Sequence, residues 1–396
     1  MASGSRFTRG ALRGTKEAIQ GTSHIVEGVH QAILDTVSRA APVPSQVPLI
    51  TGMVYRNIRA ITGITVTALD RTLTLSERWQ AQAATENGAA IQPWQLNLMG
   101  ALNGAFGDHF RETGHPWDLG VHFCRDGAEL DLDRLDQQLP LASPHLCLLV
   151  HGLSMTDLSW RSAEPDSYAR ALESLGATAL ELRYNSGLPI HENGLALAWQ
   201  LQYLADHYPA PLQSLHLTGH SMGGLLILSA CHQAIELGLT WPTLVREVAC
   251  LGAPHQGARL ELAGNWASHV MNLTPYTTPF AMAGRRRSAG IKDLRYGSLR
   301  ADDRLGRHMD DTETFAPGLV LPVPGARYLM VAGSLDEPDK PVSRLLGDGL
   351  VLPQSALSPR LAGEVDISRR QFHGLGHLDL QRHESVQQAI LDWHKF

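Results

Sequence analysis

The stretch LTGHSMGGLL, residues 217–226, sets a serine among glycines in the spacing Gly219-x-Ser221-x-Gly223. It is either a small-residue turn or the seat of a nucleophile, and the flanking chain has to decide. The apolar run LQSLHLTG (212–219) predicts a strand, and GGLLILSACHQAIELG (223–238) predicts a helix. A strand that turns sharply into a helix at a serine lifts the hydroxyl to the edge of a sheet and aims the helix N-terminus at it. Glycines on both sides let the two backbones approach without a clash.

Outward from this point, short apolar runs alternate with helical patterns. HLCLLVHG (145–152), ATALELRYN (177–185), VREVACLGAP (245–254) and RYLMVAG (327–333) read as strands. LALAWQLQYLADHY (195–208) and about 384–395 read as helices. LGVHFC and AELDL flank Arg125-Asp126-Gly127 and predict a hairpin. The alternation predicts an α/β fold, with a mostly parallel central sheet and helices on both faces. Residues 258–324 break the rhythm with Trp266, Met271, Tyr276, Phe280 and Met282, and predict a cap inserted over the sheet's carboxyl edge. The basic run Arg285–Arg287 within it reads as a solvated face. Residues 1–95 predict a helical N-terminal segment, because Val26, Val29, Ile33 and Val37, then Val54, Ile58, Ile61 and Ile64, recur at helical spacing. The remainder, 96–396, predicts one domain.

Composition narrows the function classes. The chain is 43% hydrophobic and 18% charged, an ordinary globular balance, and its net charge of −6 gives nucleic-acid binding no support. Residues 1–60 depart from this balance, with seven Lys/Arg against three Asp/Glu. Two accounts of that segment stay open: its apolar faces pack on the main domain, or they make peripheral contact with an anionic membrane surface. No apolar run reaches the roughly 18 residues that span a bilayer. The first twenty residues carry Arg6, Arg9, Arg13 and Lys16 without the apolar core of a secretory signal, although an acid-poor start also fits a transit peptide. Four cysteines form no C-x-x-C pair, and Cys147 and Cys250 sit in apolar runs as core residues. A cytoplasmic, membrane-associated or free protein is the expectation. Nineteen histidines show no metal-binding spacing, so neither metal nor cofactor is expected.

A serine hydroxyl needs a base, and the base needs an orienting carboxylate. Asp336, Glu337, Asp339 and Asp348 follow the strand 327–333, and His373 and His377 come after them. His383 and His394 fall on the last helix and read as surface groups.

Four motifs then stand together: VHGL (150–153), GHSMGG (219–224), LGAPHQG (251–257), and GDGLV (347–351) followed by GHLDL (376–380). Over residues 145–380 the chain resembles the lipase/esterase class of α/β-hydrolases, close to the PGAP1-like lipases. The resemblance implies the α/β-hydrolase fold and hydrolysis of a small-molecule ester or lipid through an acyl-enzyme. It implies Ser221 as nucleophile, His377 as base, Asp348 as acid, and the Leu153 and Met222 amides as an oxyanion hole. It places His151 and His255 at the substrate site, one bracing the oxyanion loop and one shaping the wall, with Ala253 where such lipases carry threonine. An acyltransferase or amidase with the same triad, and a non-catalytic scaffold that binds a membrane or partner, are the alternatives.

Overall fold

The computed structural model describes Gly10, Arg13 and residues 91–161, 167–258, 288–305, 316–335 and 347–395. The apolar positions of the expected N-terminal helices, the aromatic positions 266–280, the basic run 285–287 and Asp336 lie outside the described residues.

Eight strands form one sheet: β1 (Val121–Arg125), β2 (Ala128–Glu129), β3 (His145–Val150), β4 (Thr178–Tyr184), β5 (Ser214–His220), β6 (Val245–Leu251), β7 (Arg327–Ser334) and β8 (Ile367–His373). Their order is β2-β1-β4-β3-β5-β6-β7-β8. From β4 to β8 every neighbouring pair is parallel. β1 and β2 form the expected hairpin at one edge, antiparallel to each other and to β4. Its turn holds Asp126 at φ 54° and Gly127 at φ 73°, the left-handed pair that a two-residue loop demands.

Side chains alternate across the sheet, and both faces are covered. Leu146, Leu148 and Val150 of β3, with Leu215 and Leu217 of β5, face a core shared with the helices α3 (Ile190–His207) and α4 (Met222–Glu236). Cys147 and Leu149, with Ala249 and Leu251 of β6, face the opposite core. There Tyr168 and Leu172 of α2 (Tyr168–Ser174) meet Val386 and Ile390 of α6 (Glu384–Leu391). Strands buried on both sides read as near-continuous apolar runs, which is why β3 and β7 are plain in the sequence. Each fully buried leucine contributes about 1.5–3 kcal/mol.

The remaining long helix, α1 (Pro93–Glu112), crosses the expected boundary at residue 95 and packs by its glycines. A Cβ on Gly100 would lie 2.5 Å from Thr156 Cγ2, and one on Gly104 would strike the Ser154 hydroxyl. Of the residues expected to form a cap, the described parts include α5 (Ala289–Tyr296), whose Asp293 accepts from the Ile190 N–H at 2.8 Å and so fastens this helix to the start of α3.

His394, expected at the surface, is buried. Its Nδ1 lies 2.6 Å from Glu247 Oε2 and its Nε2 lies 3.1 Å from the Tyr168 hydroxyl. The physical cause is Glu247, a carboxylate buried in the middle of the sheet, whose charge must be surrounded by donors. His216 Nδ1 (2.8 Å), the Arg327 guanidinium and the Lys395 N–H (3.2 Å) complete the set. His383 is exposed, as expected, and accepts the Ser385 N–H at the start of α6.

Candidate active site

The junction of β5 and α4 is the elbow suggested by the sequence. Ser221 sits between them at φ 53°, ψ −121°, a conformation that costs a non-glycine residue of order 1–3 kcal/mol. Such strain persists only where the surroundings enforce it. Here Ser221 N–H donates to the Leu251 carbonyl at 2.8 Å, which ties the elbow to the end of β6. The glycines are required by close approach: a Cβ on Gly219 would lie 2.5 Å from the Gly223 carbonyl carbon, and one on Gly223 would strike the Val150 and His151 carbonyl oxygens.

The end of β3 lies beside the serine. A Cβ on Gly152 would be 3.2 Å from the Ser221 Cβ, so the turn that carries Leu153 abuts Ser221. This turn holds a second left-handed residue, Ser154, at φ 61°. It is held from three sides: Ser154 N–H donates to Ser186 Oγ at 2.9 Å, α1 packs against residues 154–156, and Asp157 makes a buried two-pronged pair with Arg183 at 2.7 and 3.0 Å. His151 braces the same turn, with Nδ1 2.7 Å from the Gly152 carbonyl and its ring stacked on Tyr184. Burial pushes His151 down to about 4, so the brace is a neutral ring. Met222 opens α4, and its N–H is among the first-turn donors that have no acceptor within the helix.

Asp348 and His377 are brought together across 29 residues, with Oδ2 and Nδ1 2.8 Å apart and both side chains buried. The other carboxylate oxygen accepts from the Leu350 (3.0 Å) and Val351 (2.8 Å) amides. Burial alone would raise the Asp348 pKa, but His377 and these amides hold it below the usual aspartate value. It therefore stays an ionised acceptor for the imidazole N–H. The His377 ring lies over Gly252, the residue after β6, where a Cβ would be 3.2 Å from both Nδ1 and Cε1. His377 thus shares the carboxyl edge of the sheet with Ser221. His373 ends β8, in register with Ser334.

The chain has the α/β-hydrolase fold.

That identification rests on the parallel sheet with its antiparallel edge hairpin, the strained serine between β5 and α4, and the acid and histidine that follow β7 and β8. No family model matches the sequence, and no curated protein matches it. Solved structures do resemble it. The mature lipase BlEst2 of Bacillus licheniformis is 18% identical, covers 63% of this chain and 93% of its own, with a TM-score of 0.41. A lipase-esterase related protein of Clostridium acetobutylicum is 12% identical, with 64% and 95% covered and a TM-score of 0.36. A proline iminopeptidase of Mycobacterium smegmatis is 12% identical, with 63% and 89% covered and a TM-score of 0.32.

Two further buried histidines lie at the carboxyl ends of β5 and β6. His255, after β6, has neither ring nitrogen hydrogen-bonded, and burial pushes it down to about 3. Its loop is clamped by Ser355, whose Oγ accepts the Gln256 N–H and donates to the Gly257 carbonyl, both at 3.0 Å. His220, next to Ser221, reaches the His377 carbonyl at 2.9 Å. Sequence reasoning missed Ser355 and His220, because each acts through a contact about a hundred residues or more away along the chain. Among the described residues, His216, Glu247 and His394 bring three potential metal-donor atoms within 4.8 Å of one another. They sit toward the amino ends of the strands, away from Ser221. Each of these donors is already engaged in hydrogen bonds, and a guanidinium contacts the carboxylate, so this cluster reads as a satisfied polar network.

Proposed function

We propose that the protein is a serine hydrolase of carboxylic esters that works through an acyl-enzyme. Ser221 Oγ attacks the acyl carbonyl carbon while His377 Nε2 takes the hydroxyl proton. The negative charge that develops on the carbonyl oxygen is met by the Leu153 and Met222 N–H groups, each such donor being worth about 3–4 kcal/mol in known cases. The tetrahedral species collapses as His377 returns the proton to the leaving alcohol. Water, deprotonated by the same imidazole, then attacks the acyl-serine, and the imidazole returns that proton to Ser221 Oγ as the ester bond breaks and the acid leaves. Asp348 holds the imidazole in the tautomer that leaves Nε2 free to accept.

One observation carries this reading: a serine held at a left-handed backbone angle, on the same sheet edge as a buried His377–Asp348 pair. The apolar positions of the cap sequence favour a lipid-like acyl group. The test is a panel of esters of graded chain length beside a fluorophosphonate probe. Ser221→Ala is expected to abolish turnover and labelling with the fold intact, and Asp348→Asn to lower kcat by about 10⁴, as for an orienting aspartate elsewhere. Retained turnover in Ser221→Ala would sink the reading. An acyltransferase would divert product from free acid when alcohol is added, and a non-catalytic scaffold would fail to label.

A further inference from the structure

The proposed base lies on a loop between β8 and the helical turn Asp379–Arg382. Loops place side chains less firmly than strands do. The His377 backbone is nonetheless held on both sides: its N–H donates to the Asp348 carbonyl at 2.9 Å, and its carbonyl is reached by His220 Nε2 at 2.9 Å. His220 is the last residue of β5, directly before Ser221.

The state of the His220 ring follows from this contact. A carbonyl oxygen only accepts, so Nε2 carries the hydrogen and Nδ1 is a bare lone pair. Nδ1 is buried and makes no hydrogen bond. It faces Gly152, where a Cβ would lie 3.2 Å from it. An apolar ring would fill this space without stranding a buried nitrogen, so packing alone does not account for an imidazole here. What the imidazole adds is one N–H directed at the loop of the base. Burial first, and the neighbouring His377 second, push His220 down to about 3. The ring therefore stays neutral across the working pH range and does not compete with His377 for the serine proton.

We propose that His220 is a positioning residue, whose Nε2–H···O=C bond ties the loop of His377 to the strand that carries Ser221 and so sets the separation of nucleophile and base. This rests on the triad reading given above. One residue at the elbow then does two things: its neighbour attacks the substrate, while its own ring fixes the group that activates that neighbour.

The experiment compares His220→Gln, His220→Asn and His220→Phe with the full-length wild-type chain. Glutamine places an amide N–H where Nε2 stands, asparagine falls one methylene short, and phenylalanine fills the space without a donor. For a soluble short-chain ester, the Asn and Phe variants are expected to lose about 10²-fold in kcat at unchanged KM, the scale of a catalytic group displaced by about 1 Å. The Gln variant is expected to recover most of that loss. A purely structural role would instead make the loss follow thermal stability, whatever the reach of the side chain. Wild-type kcat in a folded Asn or Phe variant overturns the proposal. So does a Gln variant as slow as Asn, or failure of both amide variants to fold, which would assign His220 to the core. Failure of the triad reading looks different: the wild-type chain would not take the fluorophosphonate label, or Ser221→Ala would keep its turnover.

Discussion

Gly252 makes the sharpest claim at the scale of single residues. Its φ of 61° and its place beneath the His377 ring exclude a side chain for two separate reasons. An alanine there would be strained, and its methyl would push the imidazole away from Asp348. If His377 is the base as proposed, Gly252→Ala is expected to lower kcat by at least about tenfold, since small misplacements of a catalytic group are costly. Gly363 supplies the control: it has φ 75° but nothing within 4 Å of a Cβ. Gly363→Ala should cost about 1–2 kcal/mol of stability, the left-handed penalty, and leave kcat alone. Equal kinetic effects from the two substitutions would contradict this account. The quoted motif showed where a nucleophile could stand, because the strand, serine and helix are contiguous. It did not show what His220 or Gly252 touches, since those contacts arise only when distant loops fold back.

Among the elements, strand β4 combines an apolar face with a charged one. Leu180, Leu182 and Tyr184 point into one core, while Glu181 and Arg183 are buried on the other side among Arg161, Asp157 and Glu129. Burial raises Glu181 to about 8, with Arg161 opposing it only partly at 3.6 Å. A carboxyl whose folded pKa exceeds its unfolded value stabilises the fold at low pH and loses that contribution as pH rises from about 4.5 to about 8. Glu181→Gln should therefore gain stability relative to wild type at pH 9 but not at pH 4, as read from urea midpoints. The same gain at both pH values would show that Glu181 does not titrate in this window. β4 was legible in the sequence despite its charges because its apolar residues keep a period of two. β8 was not, since Ile367–His373 exposes Arg369, Arg370 and Gln371 at the edge of the sheet. An edge strand with polar residues on consecutive positions has no periodicity to read.

Over the whole molecule, Glu247 joins the middle of the sheet to the last turn of chain. Burial would raise its pKa, but hydrogen bonds from His216 and His394 hold it down to about 2. A depressed carboxylate contributes stability above its unfolded value and loses it as pH falls from about 4.5 to about 2. Removing one donor should move that loss to higher pH. His394→Ala is expected to raise the midpoint of acid unfolding, followed by tryptophan fluorescence, and an unmoved midpoint would rule out the latch. Trp393, which stacks on Arg327 at 4.8 Å, makes the tail a natural reporter.

The latch also sets an order in time. Glu247 leaves the ribosome 147 residues before His394. At about 5–20 residues per second, that is a delay of roughly 7–30 seconds. Until then β6 carries a buried carboxylate short of one of its donors, so the strand beside Ser221 is held less firmly in the sheet. Asp348 and His377 are likewise made more than a hundred residues after Ser221. On the proposed triad, a nascent chain with its serine already synthesised lacks acid and base, and ester hydrolysis should first appear only after residue 377 has emerged.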